Sequence, residues 1–185
     1  MIDIHAHILP GVDDGSKNPS ETEKLLKLSW KQGVTEIIAT PHFSHHTDFA
    51  GLRERYEQTK EAAQRIDPRF KIYLGQEILY FEGMTDWLDQ GKALTLADSR
   101  YVLVEFRPGD NFIKLSRAVR ELVSAGYLPI VAHIERYDCL REKGRTAELI
   151  GLGAYLQMEE DQDDSWDEEE DDWDEEEDYE DEEDY

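Results

Sequence analysis

Met1-Ile2-Asp3-Ile4-His5-Ala6-His7-Ile8 opens the chain in strict alternation. In an extended strand successive side chains face opposite ways, so Ile2, Ile4, Ala6 and Ile8 are expected on one face and Asp3, His5 and His7 on the other. Two imidazoles then share one direction at the end of a strand. Working outward, strand-like runs recur at 35–39, 71–74, 101–106, 128–132 and 154–158, about six in all.

Helix-like stretches separate these runs. Ser20 followed by Glu23 has the spacing of a capping box, and the helix it predicts carries Leu25, Leu26 and Leu28 before Gly33. Leu52, Tyr56, Thr59, Ala63 and Ile66 recur at helical spacing up to Pro68, and Phe112, Leu115, Val119 and Leu122 do so up to Gly126. A short helical segment is expected at 146–150. Alternating strands and helices imply βα units around a parallel sheet or barrel, an α/β fold.

Composition divides the chain. Residues 159–185 hold 21 of the 44 acidic side chains and none of the 20 basic ones, so the net charge of −24 falls to −3 over the remainder. The expected organisation is one domain over 1–158 and an acidic, disordered tail over 159–185, punctuated by Trp166, Trp173, Tyr179 and Tyr185. Nucleic acid is an unfavourable partner, because phosphates would repel the tail and no basic stripe compensates. No apolar run of about 18 residues predicts a membrane span, and the start lacks the pattern of a secretory signal, which implies a cytoplasmic protein. The single cysteine, Cys139, excludes an internal disulfide framework and a cysteine-rich zinc site.

The polar residues of the predicted core gather at the C-terminal ends of the strands: His5, His7, His42, Glu77, Glu105 and His133. In α/β barrels that rim is where catalytic side chains converge. Taken singly, a strand histidine is ordinarily a satisfied core or surface residue. Together these groups would be costly to bury unless paired or coordinated, so a metal site follows. Imidazole with carboxylate suits manganese, iron or zinc, and ligands from several strands can hold a cluster.

Met1-Ile-Asp-Ile-His-Ala-His7, Asp13-Asp14-Gly15, Thr40-Pro41-His42, Gly75-Gln-Glu77, Val104-Glu105-Phe106 and Ala132-His133-Ile-Glu-Arg136-Tyr137 follow one another in that order. This series resembles the PHP-domain tyrosine-protein phosphatases of Gram-positive bacteria that act in capsule regulation. The resemblance implies a PHP-type distorted TIM-like barrel and up to three divalent ions, manganese first, with iron or zinc as alternatives. It implies that His5, His7 and Glu77 serve one ion, Glu77, Glu105 and His133 a second, and Asp14 and His42 a third. Arg136 would bind the substrate phosphate, with His133 and Glu77 also in the catalytic set. The implied reaction is hydrolysis of a phosphotyrosine protein, a tyrosine autokinase of polysaccharide export in particular. A histidinol-phosphatase-like activity and a catalytically impaired binding protein are the alternatives.

Family members continue past 154–158 with further strands and a late Asp-x-His pair, which has no counterpart here. The expectation is a C-terminally incomplete barrel whose open edge invites association with another chain, a homo-oligomer included. Asp13 and Gly15 are expected only to shape the turn presenting Asp14, and His45 and His46 to lie in a solvated loop. Cys139-Leu-Arg-Glu-Lys-Gly-Arg145-Thr146 matches the spacing of cysteine-dependent phosphatases. Its polar approach and the intervening Glu142 make that match a coincidence.

Overall fold

The computed structural model describes residues 1–158, so the expected tail lies outside the described residues. Seven strands, β1 (Ile2–Ala6), β2 (Glu36–Ala39), β3 (Lys71–Leu74), β4 (Glu77–Leu79), β5 (Tyr101–Glu105), β6 (Leu128–Val131) and β7 (Tyr155–Leu156), pair in parallel throughout. They form two sheets, β1-β2-β3 and β4-β5-β6-β7. Five helices alternate with them: α1 (Pro19–Lys31), α2 (Phe49–Ile66), α3 (Met84–Asp89), α4 (Phe112–Ser124) and α5 (Arg145–Gly151). Parallel pairing requires such crossovers, so the expected α/β class holds.

The run predicted as one strand at 71–74 continues after a break, which makes seven strands instead of six. Gly75, at the break, has no room for a side chain: a Cβ there would lie 2.8 Å from Leu96 Cδ2 and 3.1 Å from Leu96 Cα. β3 pairs with β2, whereas β4 pairs with β5. The segment after β2 joins the two sheets, because Glu77 donates its N–H to Pro41 O (3.2 Å) and accepts from Phe43 N–H (2.8 Å). His42 and Glu77 thereby become bridge partners. Among the described residues β1 and β7 are the two edges and do not pair with each other.

Three apolar clusters hold the wall. Leu26, Ile37, Leu52, Ala63 and Phe70 pack α1 and α2 against β2 and β3, and Ile78, Val102, Val104, Leu115, Val119 and Leu149 pack α4 and α5 against the second sheet. Inside the curve, Leu96, Leu103, Ile130 and Ala132 meet Ile4 and Ile38. The opening alternation does not run straight through: Ile4 joins this inner cluster, whereas Ala6 and Ile8 pack with the α1 and α2 layer. The register of β1 on β2 shifts between Asp3 and Ala6, and such an irregularity re-aims the following side chains.

Helix α1 starts earlier than the capping-box spacing predicts. Asn18 is the N-cap, its side chain accepting from Glu21 N–H at 3.0 Å, and Pro19 occupies the first turn, where its missing N–H costs nothing. The end of α2 at Ile66 and the span of α4 agree with their apolar spacing. Helix α3 is too short to leave a periodic signal.

Candidate metal centre

The strand ends bring the predicted polar residues to one rim of the wall. His5 sits in β1 and His7 just beyond it, His42 follows β2, Glu77 begins β4, Glu105 ends β5 and His133 follows β6. Two close approaches set the first loop. Gly15 packs so tightly on the chain that a Cβ there would clash with His7 O, and Ser16 donates its N–H to that same oxygen at 3.0 Å. Asp13 and Asp14 are thus folded back over β1.

Glu77 is wholly buried and lies at the middle of the group. Its Oε2 is 3.2 Å from His5 Nε2, 3.1 Å from His7 Nε2 and 3.2 Å from His42 Nδ1, while its Oε1 is 2.9 Å from His133 Nε2. His5 Nε2 and His7 Nε2 are themselves 3.2 Å apart. His42 further reaches Asp14 Oδ1 and Glu105 Oε1, each at 3.5 Å. Ligand atoms lie mutually within 4.8 Å in three sets: His5, Glu77 and His133; His7, Asp14 and His42; and His42, Glu77 and Glu105. His5, His7 and Glu77 also converge, as the resemblance implies, whereas His133 lies with His5 and Glu77 in the first of these sets and Glu105 with His42 and Glu77 in the third.

These residues fit divalent ions. Although three imidazole nitrogens surround Glu77 Oε2, none meets hydrogen-bond geometry with it, and the oxygen is buried without a hydrogen-bond partner among the described residues. Three imidazoles gathered on one buried carboxylate oxygen form an arrangement that a divalent cation would complete.

Charge is strained in the same sense. Burial works against a charged His7, but the hydrogen bond to Asp13 and the nearby Glu77 carboxylate outweigh it and push the imidazolium up to about 10. Burial also opposes ionisation of Glu77, yet the hydrogen bond with His133 and the nearby His5 and His7 imidazoles hold its carboxyl far below the usual range. Burial, with the Glu77 charge beside it, pushes Glu105 up. Protons therefore occupy places that a cation would take over.

Three supports were not among the expected site residues. Asp13 does shape its turn, accepting Gly15 N–H at 3.1 Å, but its Oδ2 also accepts from His7 Nδ1 at 2.7 Å and from His42 N–H at 3.0 Å. Gln157 Oε1 lies 3.0 Å from His5 Nδ1. Buried Tyr137 donates its hydroxyl to Ala132 O (2.7 Å) and accepts Phe106 N–H (3.0 Å), tying the His133 turn to the end of β5. His133 itself adopts the left-handed region at φ 53°, a conformation that costs energy for any residue bearing a Cβ and that such ties sustain. The Asp13-Asp14 pair was a visible signal; a lone glutamine was not.

Arg136 shares the short turn Ile134–Arg136 with Glu135, its Nε 3.6 Å from Glu135 Oε1, and its side chain is about half exposed. His45 is exposed as expected of a loop, but its ring centroid lies 4.6 Å from that of Phe81, tilted, and 4.8 Å from that of Trp87, edge-on. Around Cys139, Arg145 is taken up by Glu142 (3.1 Å) and Glu148 (3.3 Å), and burial pushes the thiol up, the wrong direction for a nucleophilic thiolate.

The family model described as capsular polysaccharide synthesis, CpsB/CapC, matches residues 1–162. The chain belongs to the CpsB/CapC family. The tyrosine-protein phosphatase CpsB of Streptococcus pneumoniae is 36% identical over 162 residues, covering 85% of this chain and 67% of that protein. Tyrosine-protein phosphatase YwqE of Bacillus subtilis (strain 168) is 34% identical over 163 residues, covering 85% of this chain and 64% of that one. The crystal structures of YwqE from B. subtilis and CpsB from S. pneumoniae, metal-dependent tyrosine phosphatases, match the fold with a TM-score of 0.76 at 32% identity, over 85% of this chain and 66% of the solved one. The chain thus spans about two thirds of the length of these CpsB/CapC relatives. No helix among the described residues is long and apolar enough to cross a membrane.

Proposed function

We propose that this chain is a metal-dependent protein-tyrosine phosphatase whose ions are held by His5, His7, Asp14, His42, Glu77, Glu105 and His133. The observation that carries the reading is the convergence of three imidazole nitrogens on buried Glu77 Oε2 at 3.1–3.2 Å outside hydrogen-bond geometry. Family membership supports the substrate class. Manganese is the ion we expect, because mixed imidazole and carboxylate donors suit it, with iron or zinc next.

Divalent ions in this place would supply Lewis acidity toward the phosphoryl oxygens. The protein's own part is to fix the donors before substrate arrives. Asp13 holds His7 through Nδ1, which leaves Nε2 facing Glu77, and the Gln157 contact does the same for His5. Arg136, on the turn that follows His133, is the residue we assign to the phosphate, since a guanidinium fork matches two phosphoryl oxygens. The substrate we expect is a tyrosine autokinase of capsule synthesis. A cytoplasmic setting suits it, because phosphotyrosine is made there from ATP.

Metal-supplemented hydrolysis of a phosphotyrosyl peptide, its phosphoseryl counterpart and histidinol phosphate tests the substrate class. Preferred turnover of the phosphotyrosyl peptide is expected. Preference for histidinol phosphate would overturn the reading.

A further inference from the structure

We propose that a cleft beside His42 is a subsite for an acidic side chain neighbouring the phosphotyrosine; this rests on the phosphotyrosyl-protein reading above. The cleft has a volume of about 310 Å³ and its lining includes Gly11, His42, His46, Asp48, Arg55 and Gln76. His42 belongs both to this lining and to the metal centre, so the cleft adjoins the centre, within reach of residues that neighbour a phosphotyrosine bound there.

Two of the lining groups call for an acceptor. Gln76 is wholly buried, and its Oε1 accepts Leu94 N–H at 3.0 Å. Its Nε2 has no acceptor among the described residues. A buried amide donor left without an acceptor forfeits the hydrogen bonds it had in water, so such a group marks a place where something else completes it. Arg55, from α2, spends one N–H on Pro10 O at 2.9 Å. A guanidinium carries five donors, and no carboxylate of the described residues pairs with this one within 4.0 Å.

The one acid in the lining is already committed. Asp48 caps α2, its Oδ1 accepting Ala50 N–H at 3.1 Å, and its Oδ2 lies where a Cβ on Gly51 would come within 2.6 Å. A cation without a carboxylate among the described residues, lining a space the size of a side chain and its backbone with a buried amide donor in its wall, selects a carboxylate. Pro10, which anchors Arg55, also begins the loop that presents Asp13 and Asp14, so the subsite is fixed relative to the centre.

Phosphotyrosyl peptides carrying Glu or Ala on either side of the phosphotyrosine test this. With the full chain and manganese, kcat/KM should favour the Glu peptides about tenfold, the size of one partly desolvated charge pair. The ratio should fall to about one in Arg55→Gln. In Gln76→Glu, which keeps the acceptor for Leu94 but replaces the donor by a carboxylate, it should drop below one. A wild-type ratio near one, or a tenfold ratio that persists in Arg55→Gln, would overturn the subsite. Should no peptide be hydrolysed, the phosphatase reading fails, and equilibrium binding of the unphosphorylated peptides to the wild-type chain still decides: tighter binding of the Glu peptides upholds the subsite, and equal affinity overturns it.

Discussion

His5 Nδ1 and Gln157 Oε1, 3.0 Å apart, connect the first strand to the residue just beyond the last described one, across the edge where β1 and β7 do not pair. Gln157 is held in turn by main-chain bonds, its N–H to Val131 O at 2.8 Å and its C=O to Ile134 N–H at 3.1 Å. It therefore fixes the tautomer that leaves His5 Nε2 facing Glu77. Gln157→Leu should lower manganese affinity about 10- to 100-fold, the usual effect of removing such a support, in a metal titration by calorimetry. Unchanged affinity would deny Gln157 that role.

Metal uptake should release protons. His7 in the metal-free chain is pushed up to about 10, because the hydrogen bond to Asp13 and the nearby Glu77 carboxylate outweigh burial, and an imidazolium cannot ligate. Because the folded value lies above the ordinary 6.5, its protonated pairing contributes fully below pH 6.5 and is lost as pH rises through about 10. Metal affinity should accordingly climb over that window. Calorimetry at pH 8 in buffers of different ionisation enthalpy should report about one proton released on His7's account, and Asp13→Asn should reduce the release.

Much of this was legible in the sequence, and the reasons differ by residue. His5, His7, Glu77 and His133 are chemically conspicuous at strand ends, and helical spacing marks α2 and α4. The shift between Asp3 and Ala6 was not, because a bulge is a property of β1 against β2 and leaves no trace in β1 alone. Gly75 reads as an ordinary turn residue until Leu96 is seen against it. Gln157 carries no charge and no motif, and its meaning depends wholly on a partner 152 positions away.

Tyr137 ties the His133 turn to β5 through one hydroxyl. Tyr137→Phe leaves Phe106 N–H without its acceptor and Ala132 O without its donor in a buried place, so chemical denaturation should show a loss of about 1–3 kcal/mol. Loss of activity should accompany it, since the ligand-bearing turn loosens. A variant as stable as the parent would contradict the account of this tie.

Cys139→Ser should retain full metal-dependent turnover, and iodoacetamide should not inhibit the parent chain. Burial pushes this thiol up and Glu142 and Glu148 occupy Arg145, so no thiolate is available to attack phosphate. Inactivation by either treatment would reinstate the cysteine motif.

The central claim is that imidazoles and carboxylates gathered around Glu77 make a working metal centre. The most direct measurement is hydrolysis of a phosphotyrosyl peptide by the purified chain with added manganese, beside the same chain after chelation and beside His133→Ala. The account predicts manganese-dependent turnover that chelation abolishes and that His133→Ala lowers to background. Equal rates in all three would contradict it.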